Sequence, residues 1–206
     1  MDIAFVAGMP PVTRVLMLLS AASVVLVSFG LIHPVQMIFS PTLVFQEKQY
    51  WRLLSTFLFF GHLDLRSVIE LNWLHMVSCS IEMQYFQQRW LDYCFTLLTG
   101  MVLLLLLQSF RVIETLYLSF LFSKSLVYLF GRLLPNQELS IFGLVTVQVR
   151  MLPLLLLVVG IAFEGPSGIW LDLVANLVGH VLWYLLEIFP RITKVHPLRL
   201  QHHFMQ

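Results

Sequence analysis

The sequence predicts an all-α polytopic membrane protein, a six-helix bundle with an interfacial first loop, and three observations carry that prediction. Of 206 residues, 59% are hydrophobic and 11% charged, whereas a soluble domain is about half apolar and a quarter charged. Mean hydropathy is +0.86. Helix-length apolar runs also recur from one end of the chain to the other. Finally, the long stretch between the first two runs is itself full of apolar segments too short to span.

Taken in order, the runs are Val15 to Leu31, Leu71 to Phe86, Tyr93 to Leu107, Ile113 to Phe130, Met151 to Phe163 and Ile169 to Phe189. Six spans put both termini on one side of the membrane. The first run lacks a basic n-region and a small-residue cleavage site, so it is expected to stay as an anchor rather than be removed as a signal peptide. The second and fifth are short for a hydrocarbon core that takes about 20 residues. Either the fifth extends back through IFGLVTVQV, or the bilayer thins around the short spans.

The connection from Ile32 to Glu70 carries PVQMIFSPTLVF and YWRLLSTFLFFG, which are expected to lie in the interfacial plane. Trp51 and Tyr50 suit the headgroup level, and Arg52 is placed to hold phosphates or to cap carbonyls. An aromatic belt with a snorkelling arginine is the plain alternative for this pair.

Charge excludes several partner classes. The formal net charge is +1 and there is no basic tract, so no nucleic-acid partner is expected. Cys79 and Cys94 have no CxxC or Cys/His spacing, which indicates neither a disulfide framework nor a metal site, and no cofactor is expected. If the termini are cytosolic, that side holds seven basic residues: Arg14, Arg89, Arg132, Arg150, Arg191, Lys194 and Arg199. The other side holds four, Lys48, Arg52, Arg66 and Arg111, with Lys124 inside the fourth span. The bias favours cytosolic termini.

One histidine, His180, stands near the middle of VANLVGHVLWYLLEIFP, a run otherwise almost wholly apolar. An ionisable group there is a functional-site hypothesis by default, in this case a base for intramembrane hydrolysis. The spacing also supports a structural reading, because Asp172, Asn176, His180 and Glu187 share one helical face. Ala175 and Gly179 form a small-xxx-small pair on an adjoining face, which admits a neighbouring helix. On this reading His180 and Asn176 belong to a polar interior, as hydrogen-bonded side chains or as the lining of a wet cavity. Lys124 is expected to snorkel to the headgroups, and Glu82 to partner a helix end or a neighbouring helix.

Several stretches together resemble the Derlin family of the rhomboid superfamily. They are PPVTR at Pro10 to Arg14, PVQMIFSPTLVF, QYWRLLSTFLFFG with its Trp51-Arg52 pair, and Glu82 near the end of the second span. They continue with LVYLFGRLLPNQELSIFGL from Leu126 to Leu144, MLP from Met151 to Pro153, and the closing GHVLWYLLEIFP. The resemblance implies a rhomboid-like membrane domain over residues 1–190 and a short cytosolic tail over 191–206. It also implies residence in the endoplasmic reticulum membrane and a part in degradation of misfolded luminal or membrane proteins after their retrotranslocation to the cytosol. The implied means is thinning of the lipid bilayer, which lowers the penalty of moving polar backbone through it.

Proteolytic rhomboids pair the sixth-span histidine with a serine in a Gly-x-Ser-Gly turn, where glycines let backbone N–H groups approach the oxyanion. Here the fourth-span serines, Ser119, Ser123 and Ser125, have Leu, Phe and Lys for neighbours and no flanking glycine. His180 is followed by Val181, Leu182 and Trp183, where the active enzymes use small residues. No catalytic residue is therefore expected; an active rhomboid-type intramembrane serine protease is the alternative. Many Derlins carry a long tail that recruits a cytosolic AAA ATPase, but the sequence here ends at Gln206 after RITKVHPLRLQHHFMQ. The resemblance thus implies misfolded clients, a membrane ubiquitin-ligase complex that brings the ATPase indirectly, and homo- or hetero-oligomers with other Derlins.

The charge bias makes a topological prediction. A glycosylation acceptor inserted near Asp64 will be modified and one near Asn136 will not, and the reverse pattern overturns cytosolic termini.

Overall fold

The computed structural model describes residues 8–87, 89–141, 145–164, 168–194 and 197–198. Helix α1 (Pro11–Ser28) opens on a proline at its first position, where the missing N–H and fixed φ suit a helix start. The first loop then folds into short pieces: a 3₁₀ turn (Pro34–Met37), α2 (Pro41–Phe45) and α3 (Arg52–Leu58). Helix α4 (Leu65–Ser80) starts from a capping box, with Ser67 N–H donating to the Asp64 carboxylate at 2.7 Å and the Ser67 hydroxyl accepting from Asp64 N–H at 3.1 Å. That cap holds the Asp64 carboxyl below the ordinary aspartate range, chiefly through the Ser67 backbone N–H. The helix continues as a π-turn (Ile81–Phe86) and stops at Gln87, in left-handed geometry with φ 46°.

Helices α5 (Trp90–Ser109) and α6 (Ser119–Leu133) complete the third and fourth spans. A two-stranded antiparallel hairpin comes next, β1 (Glu138–Ile141) and β2 (Val145–Gln148), with Glu138 opposite Gln148 and Ile141 opposite Val145. The fifth span is α7 (Leu152–Glu164), and the sixth is α8 (Ile169–Trp183), a π-turn (Tyr184–Ile188) and α9 (Phe189–Thr193). Of the proposed tail, residues 195–196 and 199–206 lie outside the described residues.

Two boundary expectations are corrected. The fifth span does not extend back through IFGLVTVQV, because the described part of that run pairs as the hairpin instead; residues 142–144 lie outside the described residues. Its Val-Thr-Val alternation is strand-like, and an apolar run of that length does not distinguish strand from helix. The fourth span begins at Ser119 rather than Ile113. Residues 113–118 run as a non-helical lead-in, with Leu118 N–H donating to the Thr56 carbonyl of the first loop at 3.1 Å.

Three helical stretches among the described residues are long and apolar enough to cross a membrane unaided, Pro11–Ser28, Trp90–Ser109 and Ile169–Thr193. The other three are shorter or more polar, and of these α6 is the one packed inside the bundle. In α6, Leu121, Phe122, Leu126, Val127, Leu129 and Phe130 are all buried, so this helix is the centre of the core rather than a lipid-facing wall. Its widest interface is with α8. Glu82, in the π-turn, is nearly fully buried and reaches the start of α1, accepting from Val12 N–H at 3.0 Å and from Thr13 N–H and hydroxyl at 2.7 Å. The first turn of a helix has unpaired N–H donors and a positive dipole end, so a carboxylate there satisfies both.

Behind that cap runs a hydrogen-bonded chain. Thr13 commits its proton to Glu82, so Ser78 supplies the proton to Thr13 at 2.9 Å, and the buried Tyr93 hydroxyl donates to Ser78 at 2.6 Å. Three spans are tied by one carboxylate. Glu82→Ala removes charge-assisted bonds worth about 1.5–3 kcal/mol and leaves buried donors unpaired, so it should lower the thermal midpoint in detergent. Glu47→Ala, at an exposed loop position, should not. Equal midpoints for the two variants would refute a structural role for the cap.

Candidate functional site: a polar seam between the fourth and sixth spans

The seam starts from a residue without a side chain. A Cβ on Gly179 would lie 2.6 Å from the Ser125 carbonyl oxygen and 2.9 Å from Tyr128 Cβ, so the backbones of α8 and α6 touch. Ala175, one turn earlier, is fully buried. Small residues make such an approach possible in a bilayer, where no hydrophobic force draws helices together. The contact sets two parallel helices side by side, and their polar residues meet in order.

Lys124 forms a salt bridge with Asp172, whose side chain is 7% exposed. The expectation that Lys124 snorkels to the headgroups is therefore corrected: an acidic partner lies within reach across the seam, and pairing replaces escape to water. Gly160 of α7 closes the pair from the other side, since a Cβ there would lie 2.8 Å from the Asp172 carboxylate. Next to the pair, Lys124, Asp172 and Asn176 line a cavity of about 10 Å³. That is room for one water molecule at most on this side, whereas on another side Lys124 and Asp172 border a cavity of about 180 Å³ shared with Arg66, Glu70 and Tyr117.

Two turns further along, the Tyr128 hydroxyl and His180 Nδ1 share a hydrogen bond of 2.9 Å. Arg132 donates its Nε–H to the same hydroxyl at 3.1 Å, and its guanidinium lies over the Tyr128 and Trp183 rings at 5.4 and 5.3 Å from their centroids. Glu187, the last member of the predicted stripe, leaves the seam. It accepts from Tyr85 on the π-turn of the second span and from Arg191. The stripe therefore splits: Asp172 and His180 face α6, Asn176 lines the space between α6 and α7, and Glu187 turns to the second span.

Two of the three serines have other engagements. Ser119 donates to the Phe59 carbonyl at 2.6 Å and Ser125 to the Phe122 carbonyl at 2.7 Å, one turn back in its own helix. His180 Nδ1 is paired to Tyr128, not to a serine. In the first loop, Arg52 is buried and caps carbonyls: it donates to Val35 and Ile38 oxygens at 2.8 and 2.9 Å and to Gln49 Oε1 at 2.7 Å. Trp51 beside it is 59% exposed, as an interfacial anchor would be. These two residues are far from the seam in sequence and belong to a separate arrangement that stiffens the loop.

Tyr128, Arg132 and Gly160 complete the site beyond the residues that the α8 stripe points to. Yet Lys124, Tyr128 and Arg132 recur every four residues on one face of α6, the same signal that exposes the α8 stripe, so Tyr128 and Arg132 were there to be found. Gly160 has no such signal; its partner, Asp172, stands on the next span.

The profile of the Der1-like family matches residues 9–198, almost the whole chain. The chain belongs to that family. It is 31% identical over 202 residues to Derlin-2.2 of Arabidopsis thaliana, covering 93% of this chain and 81% of that one. Derlin-2.2 of Zea mays is 30% identical over 202 residues, with 93% and 80% covered. Derlin-1 of Arabidopsis thaliana is 29% identical over 189 residues, with 92% and 70% covered. The fold is accordingly the rhomboid-like polytopic bundle of the Derlins, and the seam is the contact between its fourth and sixth spans.

The ion pair makes a prediction about this Derlin bundle. Lys124→Met alone strands the Asp172 carboxylate and should destabilise by about 2 kcal/mol, less than for a fully buried pair because the lysine side chain is 30% exposed. The double variant Lys124→Met with Asp172→Leu should recover most of that loss, read as thermal midpoint in one detergent. Additive losses would show that the two side chains do not depend on one another.

Proposed function

We propose that this chain is a non-catalytic Derlin of the endoplasmic reticulum membrane that assists retrotranslocation of misfolded luminal or membrane proteins to the cytosol. The observation that carries the proposal is the shortness of two central spans. Helix α7 has 13 residues and α6 has 15. At about 1.5 Å per residue these reach about 20 and 23 Å, against a hydrocarbon core of about 30 Å. Lipid next to α7, whose outward residues Leu154 and Val158 are both 64% exposed, must thin to meet it. A thinner slab reduces the distance over which a client's polar backbone goes without water.

The engagement of Ser119 and Ser125 supports the non-catalytic part of this reading. A nucleophile needs a base within hydrogen-bond reach and donors aimed at the developing oxyanion, and His180 is held by Tyr128 instead. Clients come to the protein from either leaflet, while a membrane ubiquitin-ligase complex and, through it, a cytosolic AAA ATPase supply tagging and pulling force. Both termini face the cytosol in this arrangement, and assembly with a second Derlin widens the thinned zone.

The test is client turnover in cells at matched protein level. Ser119→Ala, Ser123→Ala and Ser125→Ala should degrade clients at the normal rate, and a loss in any of them points to proteolysis. His180→Ala removes one interhelical hydrogen bond worth about 1 kcal/mol and should slow turnover less than Gly179→Leu, which has no room against the Ser125 carbonyl. If His180→Ala abolished turnover while Gly179→Leu were tolerated, the histidine would have a chemical role and the packing account would fall.

A further inference from the structure

Helices α6 and α7 close on each other at Gly131, where a Cβ would lie 3.1 Å from the Val149 carbonyl and 3.4 Å from the Pro153 ring. Beside that contact opens a groove of about 370 Å³, whose walls include Tyr128, Arg132, Arg150, Pro153, Leu154 and Asn176. Its two parts differ in chemistry. Arg132 stands in the last turn of α6 and Arg150 in the turn just before α7, so both arginines are at the end of the bundle where the first span begins and the sixth ends. Pro153, Leu154 and Asn176 carry the groove inward from that end, along the lipid-facing side of α7.

The arginines are set for an anion that the described residues do not provide. Arg132 is fixed in plane by its Nε–H bond to Tyr128 and by stacking over Tyr128 and Trp183. Its terminal amino groups have no acceptor among the described residues, and neither arginine has an acidic partner there. Two like charges converging on one groove repel unless an anion sits between them. Guanidinium forks match the oxygens of a phosphate. An apolar wall directly below a pair of arginines at the membrane boundary is the shape of an amphiphile: phosphate above, acyl chain below.

We propose that this groove binds an anionic phospholipid, with the phosphodiester between Arg132 and Arg150 and one acyl chain along Pro153 and Leu154. The site is separate from the Lys124–Asp172 pair and does not rest on the role proposed for the seam. A lipid held there also fills the space beside the shortest span, which would otherwise expose the carbonyl-rich turn at Val149–Met151 to the bilayer edge.

Native mass spectrometry of the full chain in a mild detergent, with phosphatidylserine or phosphatidylcholine added, tests the proposal. The wild type should retain a phosphatidylserine adduct well above phosphatidylcholine. Arg150→Gln should reduce that adduct about fivefold, the equivalent of about 1 kcal/mol for one basic residue at an anionic leaflet. Because Arg132 also packs on two rings, the exposed Arg150 carries the decisive arm, with Arg132→Gln expected to reduce the adduct at least as much. Lys194→Gln, exposed at the same end, should leave it unchanged. Equal retention of the two lipids, an adduct indifferent to Arg150→Gln, or displacement of the lipid by millimolar inorganic phosphate would each overturn the lipid assignment, the last by showing a free-anion site.

Discussion

At Gly179 the backbones of the fourth and sixth spans meet with no space for a side chain, and the polar pairs on either side depend on that approach. Nothing hydrophobic favours helix association in lipid; close packing and interhelical hydrogen bonds must supply it. The missing Cβ provides the first and positions the second. With α8 drawn onto the Ser125 carbonyl, Lys124 reaches Asp172 on one side of the contact and Tyr128 reaches His180 on the other. Gly160 and Gly131 play the same part for α7, one against Asp172 and one against the turn at Val149. Three glycines thus pull the last three spans into one tight unit, and that tightness holds the part-buried ion pair between α6 and the first turn of α8.

The first three spans are held by a different device. Helix α1 begins with a proline and no capping side chain of its own, and the carboxylate that satisfies its first turn comes from Glu82 on another span. Because Thr13, Ser78 and Tyr93 all pass protons toward that carboxylate, the cap also fixes α5. Besides the packing of α5 on α8 at Gly100 and Leu182, the two halves join where two π-turns meet, through Tyr85 and Glu187. A π-turn adds a residue to the helical turn, so the residues beyond it are rotated out of the α-helical register. Glu187 accordingly points to the second span rather than continuing the line of Asp172, Asn176 and His180 along the seam.

Much of this is legible in the sequence, for a physical reason: charges and glycines inside apolar runs are conspicuous. The membrane class, six helical spans, the interfacial first loop with Arg52 and Trp51, and the close packing position at Gly179 all rest on such local contrasts. The hidden features depend on partners distant in the chain. Lys124 reads as a snorkelling residue until Asp172, 48 positions away, is brought beside it. Thr13 reads as an ordinary first-turn residue until Glu82 arrives from 69 positions away. The hairpin escapes for a third reason, since a short apolar stretch rich in β-branched residues has the same composition as the end of a buried helix.

The hairpin and the short fifth span belong to one design. Residues that could have lengthened α7 are used instead for β1 and β2, and the helix starts only at Leu152. On the proposed reading, a helix that starts late leaves its preceding turn, with Arg150 and the Val149 carbonyl, at a depth where an ordinary span would already be apolar. Polar backbone at such depth is tolerated only against protein or water. Gly131 brings α6 against that turn and so shelters one side of it, while the other side faces the groove beneath the two arginines. On the proposed reading, the bilayer next to α7 meets both a short hydrophobic length and a positive rim, and these two demands favour the same local deformation: headgroups drawn inward along the fifth span.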